Sequence, residues 1–240
     1  MKKLLFGICL CGFVLVNAQD QLYKVTLLRA KPGELLTLID EIQKDIANYE
    51  SFLGNNKPYL LRHSQGDHWD LMLIYPIDEL SNYFSPEQAS QRGASRTIEQ
   101  AYGSDFFDNV SFQEEAIVNG PPINVFIGAF EKYKLFHIEI FTALAGKQSE
   151  LLEQRLAENQ FYAGIEHRPN FIFTRVFGPS WDNFTIGFYE DLHDFAGPEI
   201  PFEKEDQAAR DAGFEGVNFI GSYLRSLLAE HHDTLAWKVE

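Results

Sequence analysis

Two short stretches hold side chains whose types and spacing could move protons. His137 and Glu139 stand two residues apart, so on a strand both project from one face, and a carboxylate beside an imidazole can orient and charge it as a base. Arg62, His63, Asp67 and His68 form a second group, in which imidazoles beside a carboxylate could exchange protons near neutral pH. The same residues make up a two-histidine, one-carboxylate set, but His63 and His68 flank a turn that directs them apart, and no metal is expected. His167 and Arg168 read as loop residues, and His231-His232 as the end of a helix, where a cation suits the dipole. Each group also has a plainer reading. The first is an exposed strand face or a satisfied core pair; the second is a solvated hairpin tip.

Aromatic side chains are unevenly spread. Residues 126–240 hold 14 phenylalanines against 5 between residues 19 and 125, so an apolar pocket, if there is one, belongs to the second half. Phe171 and Phe173 share one strand face, Phe184 and Phe188 share a face of the next, and with Trp69 and Trp181 they are the candidate ligand-binding side chains. Sequence signatures of serine hydrolases, phosphate loops, dinucleotide-binding loops, zincins and EF-hands are absent.

These residues sit on a repeated frame. Tyr23-Lys-Val-Thr-Leu-Leu-Arg-Ala-Lys-Pro-Gly33 aligns with Phe136-His-Ile-Glu-Ile-Phe-Thr-Ala-Leu-Ala-Gly146 at an offset of 113. Gly66-Asp-His-Trp-Asp70 then meets Gly178-Pro-Ser-Trp-Asp182 at 112, so register holds across some sixty positions. Each copy reads as strand, helix, two strands around a turn, helical sequence and a last short strand. Leu35, Leu36, Leu38, Ile39, Ile42 and Ile46 recur at helical spacing; Ser85-Pro86-Glu87 is a helix start; Phe219–Ala229 is amphipathic. The last strands fall near 115–118 and 235–239, and Asn119-Gly-Pro-Pro122 punctuates the join.

This order is the ferredoxin-like βαββαβ layout, so the fold class is α+β, with two tandem repeats (19–125 and 126–240) packed sheet to sheet. Features shared by both copies serve folding, which assigns the Gly-x-x-Trp-Asp signature to structure; unshared polar residues are the better functional candidates. The strand ending in Lys-Pro-Gly, the early helix and the Trp-Asp strand resemble the dimeric α/β barrel superfamily, which includes NIPSNAP-like, EthD-like and antibiotic-biosynthesis-monooxygenase-like proteins. The resemblance implies a fused intrachain pseudo-dimer. It also admits cofactor-free oxygenases, haem-degrading enzymes, isomerases and dehydratases. No cofactor is expected, with haem as the one the resemblance allows.

Met1-Lys2-Lys3, an apolar run to Val16 and the small-residue exit at Ala18 form a bacterial-type secretory signal peptide over residues 1–18. Both cysteines, Cys9 and Cys11, lie inside it, so the mature chain has no thiol and export to periplasm or medium brings no disulfide. Without Lys2 and Lys3 the formal charge is −17, which disfavours nucleic acid and anionic membrane surfaces as partners, and no stable membrane anchor is expected. The expected function is binding of a small, largely apolar molecule between sheet and helices. The alternatives are a cofactor-independent enzyme using His137 with Glu139 or His63 with His68, and a structural module of the cell envelope.

Overall fold

The structure, a computed structural model, describes residues 21–48, 58–77, 79–87, 90 and 105–239. The segment read from sequence as a signal peptide lies outside them. In chain order the elements are β1 (Gln21–Ala30), α1 (Leu35–Asn48), β2 (Tyr59–Gln65), β3 (Leu71–Ile77), α2 (Leu80–Tyr83), α3 (Asp105–Asp108), β4 (Val110–Gly120) and α4 (Ile123–Lys132). There follow β5 (Leu135–Ala143), α5 (Gln148–Gly164), β6 (Phe171–Phe177), β7 (Asn183–Tyr189), α6 (Leu192–Ala196), α7 (Phe202–Asp211), α8 (Ile220–Leu227) and β8 (Leu228–Lys238). Pro86 and Glu87 are helical, but much of the helical stretch expected after them lies outside the described residues.

The strands close into one antiparallel barrel in the order β1-β3-β2-β8-β5-β7-β6-β4. Each half contributes the same four-strand order, β4-β1-β3-β2 and β8-β5-β7-β6, and the halves meet at two seams, β2 with β8 and β6 with β4. Closure explains the sequence pattern. Tyr23, Val25 and Leu27 face the barrel interior with Phe136, Ile138, Ile140, Phe173, Phe184 and Ile186. Alternate residues on β1, Leu28 and Ala30, face outward and are covered by Leu38, Ile39 and Ile42 of α1. Both faces of the sheet are therefore buried, and the free faces of the two repeats are paired as the sequence requires.

The shared signature pins this frame twice. The Asp70 carboxylate accepts a hydrogen bond from the Ala30 backbone N–H at 2.8 Å, and Asp182 accepts from Ala143 at 2.8 Å. Each ties the end of the first strand to the hairpin of its own repeat. The turn glycines answer to the seams. A Cβ on Gly66 would lie 1.9 Å from the Asp233 carbonyl oxygen, and one on Gly178 would lie 2.7 Å from that of Glu115. Both also have positive φ, +120° and +133°.

Two elements differ from the sequence reading. The closing strands are each 11 residues long, starting at Val110 and Leu228, because pairing along β1 and β5 extends them through polar residues that alternation alone does not mark. His231-His232 therefore lies on β8, beyond the end of α8 at Leu227, and the two rings project from opposite faces. The join carries a helix, α4, whose Phe126 and Phe130 are fully buried against Tyr23, Tyr59, Phe136 and Phe188. It fills one end of the barrel with aromatic rings.

Candidate functional site

The candidate aromatic residues lie in the barrel interior. Phe173 and Phe184 stack at 4.5 Å between centroids, Phe171 meets Phe188 at 4.4 Å, and Trp181 stands edge-on to Phe184 at 5.7 Å. Trp69 is fully buried in the same cluster. These rings pack on one another and on α4, so their burial is accounted for by the core.

The candidate polar residues occupy two other places. His137 and Glu139 share the outward face of β5, as their spacing predicts, beneath α5. They do not bond to each other. His137 Nε2 meets Asp233 Oδ1 at 2.5 Å, while Glu139 Oε1 faces His231 Nε2 at 3.3 Å. The second Glu139 oxygen accepts from Thr185 Oγ1 at 3.3 Å and lies 3.8 Å from an Arg155 guanidinium nitrogen. Arg155 is 2% exposed and bonds also to Glu158 and, through Nε, to Gln154 at 2.7 Å. Phe141 organises both neighbours: the His231 ring stacks on it at 5.0 Å with planes 7° apart, and the Arg155 guanidinium lies 4.6 Å from its centroid.

The offset between the repeats separates what is shared here from what is not. Lys24 and Glu115 form an ion pair at 2.6 Å in the first repeat, at the places that His137 and Asp233 fill in the second. A cross-strand ion pair is thus common to both halves, and only its titratable version is new. Glu139, Arg155 and His231 instead stand where the first repeat has Thr26, Ile42 and Gln113. Where one half has a threonine, an isoleucine and an exposed glutamine, the other has a carboxylate, a guanidinium and an imidazole.

Burial raises the cost of ionising Glu139, but the hydrogen bond from His231 and the charges of Arg155 and His137 outweigh it and hold the carboxyl below its ordinary range. Burial likewise disfavours the His137 cation, yet the bond to Asp233 and the charges of Glu139, Asp233 and Glu158 raise it above its ordinary value. Asp233 is lowered in turn, chiefly by that hydrogen bond. His231 Nε2 faces the Glu139 carboxylate at 3.3 Å, which leaves Nδ1 as the ring nitrogen turned away from it. Glu139 and His231 line an open cleft of about 490 Å³ with Gly221, Leu224, Arg225 and Leu228, between α8 and the start of β8.

Arg155 and His231 were not among the candidates from sequence. Arg155 had a signal: the offset of 113 places it over Ile42, so a charged residue stands at a core position of the helix. His231 was hidden by its assignment to a helix end.

The first hairpin forms the second place. Asp67 Oδ1 is hydrogen-bonded to His68 Nδ1 at 2.5 Å and lies 3.1 Å from His232 Nδ1, at the end of the barrel opposite α4. His63 is not part of this group. Its ring lies 5.8 Å from Trp69, and its Nε2 is buried with no hydrogen-bond partner among the described residues.

Neither family models nor curated proteins match this sequence. Solved structures do match the fold. A protein described as anthrone oxidase-like superposes with a TM-score of 0.61 over 93% of each chain, at 13% identity. A putative monooxygenase from Fusobacterium nucleatum subsp. nucleatum superposes with a TM-score of 0.56 over 92% of this chain and 93% of that one, at 8% identity. The chain thus has the fold of the dimeric α/β barrels, with all eight strands supplied by one polypeptide.

Neither His137 nor His231 offers a free Nε2 to a haem iron. Near the cleft, the Nε2 atoms of His137 and His231 both face carboxylates rather than open space, and a buried guanidinium covers the strand between them.

Proposed function

We propose that the protein is an exported enzyme that removes a proton from a small, partly apolar organic molecule bound in the cleft beside Glu139 and His231. The observation that carries this reading is a buried Glu139, its carboxyl held below its ordinary range, that faces at 3.3 Å the one histidine lining the cleft. Glu139 fixes the His231 tautomer, Phe141 fixes its ring plane, and Nδ1 accepts the substrate proton. Leu224 and Leu228 supply apolar wall, while Arg225 offers a charge to the anion that deprotonation creates. The cleft lies beside β5 and β8 in the second half, whereas the aromatic side chains expected from sequence to hold a ligand pack inside the barrel. The names of the two fold neighbours, one anthrone oxidase-like and one a putative monooxygenase, agree with an enzymatic use of this barrel.

Two further parts of the reading concern the chain as a whole. The matching strand order of the halves, and their matching Asp70 and Asp182 ties, support descent from a fused pair of single repeats. The basic-apolar-small pattern of residues 1–18 supports export; protein recovered from the medium or periplasm should begin at Gln19 on N-terminal sequencing.

The activity is tested with anthrone, whose methylene is a weak carbon acid, by following deuterium uptake from heavy water with mass spectrometry. The full mature protein should accelerate uptake, and His231→Gln should lower the rate by about 10²-fold or more. Equal rates for His231→Gln and the unmodified protein would remove His231 from the chemistry, whereas Lys24→Gln should leave the rate unchanged.

A further inference from the structure

The barrel end opposite α4 carries a side-chain arrangement that the proposed chemistry does not use. We propose that Asp67, His68 and His232 form a binding site for one divalent first-row transition ion. Their ligating atoms, one carboxylate oxygen and two imidazole nitrogens, all lie within 4.8 Å of one another. Both Nδ1 atoms converge on the same oxygen, at 2.5 and 3.1 Å. Ions bound by imidazole and carboxylate at roughly 2.0–2.2 Å hold neighbouring ligand atoms about 3 Å apart, so an ion enters with a small outward shift of the rings. That shift is available. The His68 and His232 side chains are 49% and 41% exposed, while Asp67 is 2% exposed.

The carboxylate is positioned as a metal ligand requires. Trp69 Nε1 donates to its other oxygen at 3.1 Å, and the His68 backbone N–H donates to Oδ1 at 2.6 Å. The Asp67 backbone N–H is held by Thr234 Oγ1 at 3.2 Å, which fixes the hairpin against β8. The donor set is nitrogen-rich, which favours zinc, iron or cobalt over calcium or magnesium, and three protein ligands leave positions open to solvent.

The rest of the molecule argues for this place over its rival. His137, Glu139 and Asp233 also fall within 4.8 Å, but the Glu139 oxygens already face Thr185, Arg155 and His231, and the Arg155 charge opposes a cation. No such cation is paired with Asp67, whose ion-pair partners among the described residues are the two histidines. The equivalent seam of the other half has Pro179, Ser180 and Glu114 in these positions, where Glu114 accepts from Trp181 Nε1 at 2.9 Å. One seam of a two-seam barrel is thus furnished with histidines.

Because Asp67 and His68 belong to the first repeat and His232 to the last strand, an ion here would clamp the β2–β8 seam. The test is titration of the untagged mature protein with Co²⁺, read by visible absorption, and with Zn²⁺, read by calorimetry and thermal melting. One equivalent should bind and raise Tm. His68→Gln and His232→Gln should each weaken binding at least tenfold and remove the rise in Tm, while His137→Gln should bind as the unmodified protein does. Absence of one-to-one binding, binding that survives His232→Gln, or binding lost in His137→Gln would each overturn the proposal.

Discussion

Replacing Glu139 by Gln tests whether the second sheet-to-helix contact is electrostatically organised. The substitution keeps size and removes one charge from a site where Arg155 is 2% and Glu139 9% exposed. At 3.8 Å and an effective dielectric near 20, the attraction between them is about 4 kcal/mol before desolvation is counted. Removing one member of a buried pair costs about 3–5 kcal/mol when the other is left alone. Arg155 is not left alone, since Glu158 and Gln154 remain, and the cost of burying the Glu139 charge is relieved. The expected loss is therefore about 1–3 kcal/mol at pH 7 in urea denaturation. The pH dependence has a definite sign. A carboxyl held below its ordinary value of 4.5 contributes stability that is present above that value and is lost as pH falls through the folded value. The difference between the two proteins should thus be full at pH 7 and shrink toward pH 3. In the same variant the His137 resonance in NMR titration should move to lower pKa, because one of the charges that raise it is gone. A Glu139→Gln protein as stable as its parent at pH 7, with an unchanged His137 titration, would refute the account.

Three other outcomes follow from the frame. Asp70→Ala and Asp182→Ala each strand one backbone N–H, so each should cost about 1–3 kcal/mol by urea denaturation, and their separation in the barrel should make the losses additive. Gly66→Ala places a Cβ against the Asp233 carbonyl oxygen at positive φ and should cost more than about 3 kcal/mol in chemical denaturation. Gly33→Ala, also at positive φ (+90°) but with nothing within 4 Å, should cost only about 1 kcal/mol. The triple replacement Glu139→Thr, Arg155→Ile, His231→Gln restores the residues of the first repeat. It should hold or raise Tm while abolishing anthrone exchange, since apolar packing commonly matches or exceeds a buried ion pair by about 1–4 kcal/mol.

Much of the frame was legible because folding constraints act locally and twice. The repeat gave the strand order, since Gly66 and Gly178, Trp69 and Trp181, Asp70 and Asp182 each hold the same place in register. The barrel was legible from an apolar second sheet face that needed cover. Less was legible at the site. His137 and Glu139 share a face as their spacing requires, but which partner each takes depends on β8, and β8 begins in a polar run, Ala229-Glu-His-His-Asp233, that carries no hydrophobic alternation. Its strand state comes from pairing with β5 and β2, which is tertiary information. For the same reason His232 could not be brought to Asp67 and His68, across 164 residues of chain, before the seam was known.

The two halves also show where stability and chemistry part. Under α1 the contact between sheet and helix is made by Leu28, Ala30, Leu38, Ile39 and Ile42, the arrangement that best repays burial. Under α5 the places of Thr26 and Ile42 hold Glu139 and Arg155, and an exposed-side glutamine becomes His231. Charges buried in this way cost desolvation that their attraction offsets only when geometry is close, so packing energy alone gives no reason to keep them. The first repeat shows that the same frame closes without them. What the charges add is a carboxylate kept ionised away from water, aimed at an imidazole on the wall of a cleft. That arrangement does little for the barrel and suits a proton acceptor, which is why the difference between the repeats, rather than their likeness, locates the candidate site.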